Sequence, residues 1–99
     1  MQSNPSEMIR AHIWVKGRVQ GVGFRAHVEY HAQQIGVLGW VRNIGWNTVE
    51  TVAEGGSEQV ERFIEMVKTG PRASRVDETR VEYEPATGQF DGFSVKHSM

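Results

Sequence analysis

The segment of this sequence best suited to chemistry combines glycines with arginines. It runs GRVQGVGFR from Gly17 to Arg25. Glycine allows backbone conformations in which successive N–H groups converge, and the N–H groups at the start of a helix lack intrahelical partners. Because the helix dipole is also positive at that end, such a loop can bind a phosphate or another anion.

Three interpretations of this loop are open on the residues alone. GVGFRA at 21–26 fits the loose glycine pattern of dinucleotide-binding loops, but that fold requires a parallel sheet covered on both faces. A plain connector that uses glycine to turn is the second interpretation. The third is an anion-binding loop, which Arg25 in the first helical turn favours because a cation there opposes the dipole unless an anion is bound.

Two motifs closely resemble those of the acylphosphatase family. GRVQGVGFR at 17–25 is similar to the first motif of that family, and GWVRN at 39–43 is similar to the second. The resemblance covers nearly the whole chain after the first residues. The sequence departs from the family pattern at Trp46 and Asn47, where the family usually has an acidic residue and a glycine before Thr48.

The resemblance implies a hydrolase that cleaves the carboxyl–phosphate bond of acyl phosphates to a carboxylate and inorganic phosphate. It implies that Arg25 binds the phosphoryl group and that Asn43 orients the attacking water. The loop whose backbone would bind the remaining phosphoryl oxygens consists of Gln20, Gly21, Val22, Gly23, Phe24 and Arg25. Neither a metal nor a cofactor is implied, and the expected partners are the acyl phosphate and the phosphate product.

Phosphoryl transfer explains why so few groups would be needed. Its transition state carries charge on the equatorial oxygens, two of which a guanidinium can bind through parallel hydrogen bonds. The leaving carboxylate belongs to an acid of pKa about 4, so it departs without a general acid. An amide such as that of Asn43 accepts a hydrogen bond from water and does not repel the phosphate. A phosphate oxygen is the expected acceptor of the water's proton.

Hydrophobic spacing predicts the elements that position these groups. Ile9, Ala11, Ile13 and Val15 alternate with polar residues, which indicates a strand with one buried face. From Phe24 onward the apolar residues recur three and four apart, which indicates a helix that ends near 36.

Further strands are predicted at 39–43, 48–53, 75–83 and 93–95, and a second helix with Ser57 as N-cap follows the third strand. Right-handed crossovers then place both helices on one face of the sheet. The sequence therefore predicts an α+β ferredoxin-like sandwich with βαββαβ order and an antiparallel sheet. In the turn between Ile44 and Thr48 we expect positive φ at Asn47, because Asn tolerates that conformation.

Composition restricts the class of protein. The 99 residues carry a formal net charge of −1 and no cysteine, which excludes disulfide scaffolds, thiolate catalysis and cysteine zinc sites. No apolar run approaches the roughly 20 residues that span a bilayer. We expect a flexible tail at 1–8, one domain at 9–97 and a cytoplasmic location, with neither nucleic acid nor membrane as partner. The sequence leaves the oligomeric state open, and a monomer is favoured.

Two other functions are compatible with the predicted fold. A single-stranded RNA module would use aromatic residues on the open sheet face, where His12, Trp14, Trp40 and Arg42 are expected. Against it, the third strand lacks an aromatic RNA-binding string. A phosphate-sensing domain would use the same loop without turnover.

Overall fold

Strands and helices follow one another in the predicted order. The computed structural model describes residues 7–99, and its elements are β1 (Ile9–Arg18), α1 (Phe24–Ile35), β2 (Leu38–Ile44), β3 (Thr48–Gly55), α2 (Ser57–Thr69), β4 (Arg75–Pro85) and β5 (Phe93–Val95). The predicted tail at 1–8 lies outside the described residues except for Glu7 and Met8, which precede β1 without regular structure.

The strands form one sheet in the order β4-β1-β3-β2-β5. Antiparallel pairing joins β1 to β3, β1 to β4 and β2 to β3. The predicted ferredoxin-like fold is confirmed by this layout of strands and helices. The sheet is mixed rather than wholly antiparallel, because the short β5 pairs parallel with β2 at one edge.

The parallel edge follows from the path of the chain between β4 and β5. Glu54, near the end of β3, accepts hydrogen bonds from Thr87 N and Oγ1, each at 2.9 Å, and from Gly88 N at 3.0 Å. The chain that leaves β4 at one edge is thereby held against the central strand on its way to the other edge. Phe93 then pairs opposite Gly39 near the start of β2, so β5 runs in the same direction as β2.

One face of the sheet and both helices enclose the core. Ala11, Ile13 and Val15 of β1 are fully buried, as their alternation predicts. The helix residues that pack with them are Phe24, Val28, Ala32, Val60, Phe63, Ile64 and Val67. This shared core holds α1 against the sheet that contains β2. Within residues 7–99, neither helix is both long and apolar enough to cross a lipid bilayer.

The C-terminal end of α1 lies where the sequence predicts it, and the N-cap of α2 differs from the prediction. Gly36 ends α1 with φ of 97°, and its N–H donates to Ala32 O at 2.8 Å. At α2 the N-cap is Gly56, in an extended conformation, and Ser57 is the first helical residue. Gln59 Oε1 accepts a hydrogen bond from Gly56 N at 3.1 Å and so satisfies that N–H from three residues further on. The prediction of Ser57 as N-cap was therefore wrong by one position.

The turn between β2 and β3 has its left-handed residue earlier than predicted. Gly45 has φ of 60°, and every residue with positive φ in the described part of the chain is a glycine. The prediction of positive φ at Asn47 was therefore wrong. Its carbonyl accepts a hydrogen bond from Gly17 N at 3.0 Å, and its Oδ1 accepts one from Thr48 Oγ1 at 3.0 Å. These bonds fix Asn47, while Gly45 takes the left-handed conformation without steric cost.

Aromatic and charged side chains alternate with the core residues and occupy the sheet face opposite the helices. His12 and Trp14 of β1 stack with ring centroids 3.9 Å apart. The Arg80 guanidinium lies 4.8 Å from the Trp14 ring centroid, and that of Arg42 lies 4.9 Å from the Trp40 centroid. The aromatic residues that an RNA module would use are on this face, and cations of the same chain already cover them.

Candidate active site

The glycine-rich loop connects β1 to the first turn of α1. Gly21 and Gly23 have φ of 75° and 78°, which residues with a Cβ rarely adopt. Gly23 is the N-cap of α1, makes no side-chain cap, and is followed by a first turn without an acidic residue. The first N–H groups of the helix therefore lack both intrahelical and side-chain partners. With the positive end of the helix dipole, this arrangement is suited to an anion.

Arg25 and Asn43 line the same cavity beside this loop. The cavity has a volume of about 310 Å³ and is lined by Val19, Gly21, Gly23, Phe24, Arg25, Ala26, Glu29, Asn43 and Val95. We call it the Arg25 cleft. Packing of α1 against the sheet thus brings together the two residues predicted to be catalytic, although they belong to different motifs. A space at the small end of the usual 300–1,000 Å³ for ligand pockets suits a group as small as a phosphoryl.

Asn43 offers an unpaired hydrogen-bond acceptor at this cleft. Its side-chain Oδ1 is buried and has no hydrogen-bond partner among residues 7–99. Its backbone is fixed, because Asn43 pairs with Val49 across the two strands and its carbonyl accepts a hydrogen bond from Met99 N at 2.9 Å. A buried acceptor without a donor costs about 1–3 kcal/mol. A water or ligand that donates to Oδ1 removes that cost.

The Gln20 side chain binds the β2–β3 turn. Its Nε2 donates to Ile44 O at 3.1 Å, to Gly45 O at 3.2 Å and to Thr48 O at 2.9 Å. Neither Gln20 nor Val22 lines the Arg25 cleft, and Val22 packs against the core. That these two residues contribute backbone N–H groups to the phosphoryl group remains a prediction. Sequence reasoning missed the side-chain role because the three carbonyls lie 24 to 28 positions further along the chain.

The segment after β5 forms a wall that sequence analysis did not anticipate. Lys96 N donates to Val41 O at 2.8 Å, and Met99 N donates to Asn43 O at 2.9 Å. These bonds extend the pairing of β5 along β2 as far as Asn43. Val95, the last residue of β5, lines the Arg25 cleft. Residues 96–99 therefore border the end of β2 that carries Asn43, and no motif in the sequence marks them.

A histidine pair lies on α1 next to the residues of the cleft. The rings of His27 and His31 have centroids 4.5 Å apart. Burial, and secondarily the charge of His31, lower the pKa of His27 below its ordinary value. Within residues 7–99, no three His, Cys, Asp or Glu side chains are grouped so that they could hold a metal ion. Metal independence itself remains a prediction.

Comparison with known proteins leads to one family from both sequence and structure. The protein-family model described as Acylphosphatase matches residues 11–95, which include both motifs. The Acylphosphatase of Aeropyrum pernix is 46% identical over 98% of this chain and 100% of its own length. That of Roseiflexus sp. (strain RS-1) is 43% identical over 90% of this chain and 96% of its own length.

Solved structures give the same result. The acylphosphatase from Bacillus subtilis superposes with a TM-score of 0.85 at 36% identity, over 89% of this chain and 98% of that one. An acylphosphatase from Coxiella burnetii has a TM-score of 0.86 at 29% identity, over 97% of this chain and 100% of that one. Full-length HypF contains a similar region, with a TM-score of 0.86 at 28% identity, covering 98% of this chain and 13% of HypF.

Proposed function

This chain belongs to the acylphosphatase family and is an acyl phosphate hydrolase, and from that premise we propose that Arg25 binds the phosphoryl group while Asn43 orients the attacking water. The observation that carries the proposal is that Arg25 and Asn43, whose buried Oδ1 is unpaired, line one cavity at the start of α1. The reaction separates the acyl phosphate into a carboxylate and inorganic phosphate.

Arg25 acts in this proposal through two parallel hydrogen bonds to phosphoryl oxygens. Its place in the first turn of α1, where the dipole is positive, is unfavourable for a cation until an anion binds. The planar guanidinium matches the spacing of two equatorial oxygens, which a lysine ammonium does not. Arg25 therefore contributes both charge and orientation to the bound phosphoryl group.

The loop supplies backbone donors for the remaining phosphoryl oxygens. Gly21, Gly23, Phe24 and Arg25 all line the cleft, and we include the N–H groups of Gln20 and Val22 in the same set. Donors that are oriented before the reaction need little reorganisation as charge builds up on the oxygens. The left-handed glycines of the loop are the structural condition for this orientation.

Asn43 accepts a hydrogen bond from the water and holds it in line with the bond that breaks. A neutral amide is suited to this role, because a carboxylate at the same place would repel the phosphate. The leaving group is a carboxylate of low basicity and needs no proton. We assign the proton of the water to a phosphate oxygen, so that neither a metal nor a general base from the chain is required.

Hydrolysis of benzoyl phosphate in the presence of EDTA tests the proposed function. We expect turnover by the purified chain at an unchanged rate when the chelator is added. An RNA module or a phosphate-sensing domain predicts no turnover, so absence of hydrolysis would overturn the proposal. Activity that is lost with EDTA and restored by a divalent metal would contradict the metal-independent mechanism alone.

A further inference from the structure

The Arg25 cleft contains one acidic side chain, that of Glu29. Of the nine residues of the described chain that line the cleft, only Arg25 and Glu29 have charged side chains. Their formal charges cancel, although the ligand proposed for the cleft is an anion. A carboxylate repels an anion, so a site that only had to hold phosphate would bind it more tightly without Glu29.

The geometry of α1 places Glu29 beside Arg25. The two residues are four positions apart, so they lie on the same face of the helix, one turn from each other. Helical side chains lean towards the N-terminus of their helix, which brings the Glu29 side chain towards the turn that contains Arg25. Val28, the preceding residue, is fully buried in the core and fixes this part of the helix. The carboxylate therefore borders the anion site from the second turn of α1.

The charge of Glu29 is not taken up by a cation elsewhere in the fold. Glu29 belongs to none of the ion pairs formed among residues 7–99. Gln33, one turn further along the same face, donates from Nε2 to Phe93 O at 3.3 Å and is thus bound to β5. The Glu29 side chain is half-buried, so solvent screens its charge only in part. Its field therefore acts on an anion in the cleft.

We propose that the carboxylate of Glu29 lowers the affinity of the Arg25 cleft for phosphate, so that the phosphate product leaves after hydrolysis. The inference rests on the proposed function, because it requires the phosphoryl group at Arg25. The loop N–H groups, the helix dipole and Arg25 all attract the phosphoryl group, which substrate and product share. Glu29 opposes this attraction for both, and without it the product would inhibit the site more strongly.

The size of the effect follows from the charges involved. An exposed charge pair changes an equilibrium by about 1.5- to fivefold per unit charge. A phosphate group carries about two charges above pH 7, so removal of the Glu29 charge should tighten phosphate binding by about 2- to 25-fold. Because the interaction is electrostatic, this gain should decrease as ionic strength rises.

Calorimetric titration with inorganic phosphate measures its dissociation constant for the native chain, Glu29→Gln, Glu29→Ala and Glu29→Lys. Gln and Ala differ in size and are both neutral, so both should tighten binding by a similar factor, and Lys should tighten it further. All three are good helix formers and preserve α1. Glu65→Gln removes the same charge at an exposed position of α2. It is the matched control and should leave the dissociation constant unchanged.

Hydrolysis of benzoyl phosphate by Glu29→Gln completes the test. We expect its kcat/KM to be at least that of the native chain, because the substrate is repelled less, and we expect added phosphate to inhibit it at lower concentration. A carboxylate that accepted the proton of the attacking water would give the opposite result. Its loss would lower kcat/KM by about 10²–10⁴-fold without improving phosphate affinity.

The outcomes separate this inference from the proposed function. Equal phosphate dissociation constants in the native chain and Glu29→Gln overturn the role of Glu29, while turnover by the native chain upholds the hydrolase. Tighter binding in Glu29→Ala alone also overturns that role, because the size of the side chain and not its charge would then matter. A loss of kcat/KM of the size expected for a general base overturns it as well. Absence of turnover by the native chain overturns the proposed function and the inference with it.

Discussion

Replacing Gln20 tests whether its amide holds the glycine-rich loop against the β2–β3 turn. The Nε2 group has two N–H bonds, and it lies 2.9–3.2 Å from the carbonyl oxygens of Ile44, Gly45 and Thr48. The contacts therefore use both N–H bonds, one of which is shared between two acceptors. Gln20 is the first residue of the phosphate-binding loop, and Ile44, one of its acceptors, directly follows Asn43. Loss of these hydrogen bonds should therefore affect both stability and catalysis.

The magnitude follows from the number of bonds and the burial of the group. A hydrogen bond within a protein contributes about 0.5–1.5 kcal/mol net, so two of them are worth about 1–3 kcal/mol. Gln20→Met keeps the length of the side chain and removes both donors. We expect the free energy of unfolding to fall by an amount in this range. Gln20→Glu should cost more, because it places a carboxylate against three carbonyl oxygens.

Urea unfolding measures the stability of both Gln20 variants, and hydrolysis of benzoyl phosphate measures their kcat/KM. Gln34→Met, the same substitution as Gln20→Met at an exposed position of α1, is the control and should change neither quantity, because Gln and Met have nearly equal helix propensity. We expect kcat/KM to fall in both Gln20 variants under conditions where they are fully folded. A Gln20→Glu protein as stable and as active as the native chain would refute the clamp.

Two further predictions concern stability. Burial raises the pKa of Glu54, but hydrogen bonds from Thr87, Gly88 and Arg10 together lower it by more, so the pKa lies below its ordinary value. The contribution of Glu54 to the free energy of unfolding is therefore present above the unfolded carboxyl pKa of about 4.3. That contribution is lost as pH falls through the folded pKa. Urea unfolding at several acidic pH values should show that the free energy of unfolding of Glu54→Gln falls less steeply with falling pH than that of the native chain. The same dependence on pH in both proteins would contradict this prediction. Gly45→Ala should cost about 1–2 kcal/mol from positive φ alone, because a Cβ there meets no atom within 4 Å; an unchanged unfolding midpoint would contradict the left-handed conformation.

Local patterns in the sequence were sufficient for the elements that carry the site. The alternation through Ala11, Ile13 and Val15 identifies the buried face of β1, because a strand has period two. The spacing from Phe24 and the glycine at 36 identify the limits of α1. The glycine-rich loop lies between these two elements, so its place at the start of α1, with Arg25 in the first helical turn, could be predicted.

Interactions between distant residues decide what the sequence could not show. The parallel pairing of β5 with β2 follows a chain path along which Thr87 and Gly88 donate hydrogen bonds to Glu54, and no local pattern encodes these long-range contacts. Asn and Gly are both common in turns, so the residue types alone did not decide between Asn47 and Gly45. Gly45 has the positive φ, and Asn47 accepts a hydrogen bond from Gly17 N, which lies 30 positions earlier in the chain. The roles of the Gln20 side chain and of residues 96–99 have the same origin.

The division of roles between Arg25 and Asn43 is the central claim, and kcat/KM and the phosphate inhibition constant measured on Asn43→Ala and Arg25→Lys test it most directly. Loss of one preorganised hydrogen-bonding group typically lowers kcat by about 10²–10³-fold. We expect Asn43→Ala to show that loss in kcat and kcat/KM alike while phosphate inhibits with nearly the native constant. Arg25→Lys should lose both turnover and phosphate affinity. An Asn43→Ala protein whose phosphate affinity falls as far as its kcat/KM, at an unchanged melting temperature, would contradict the account.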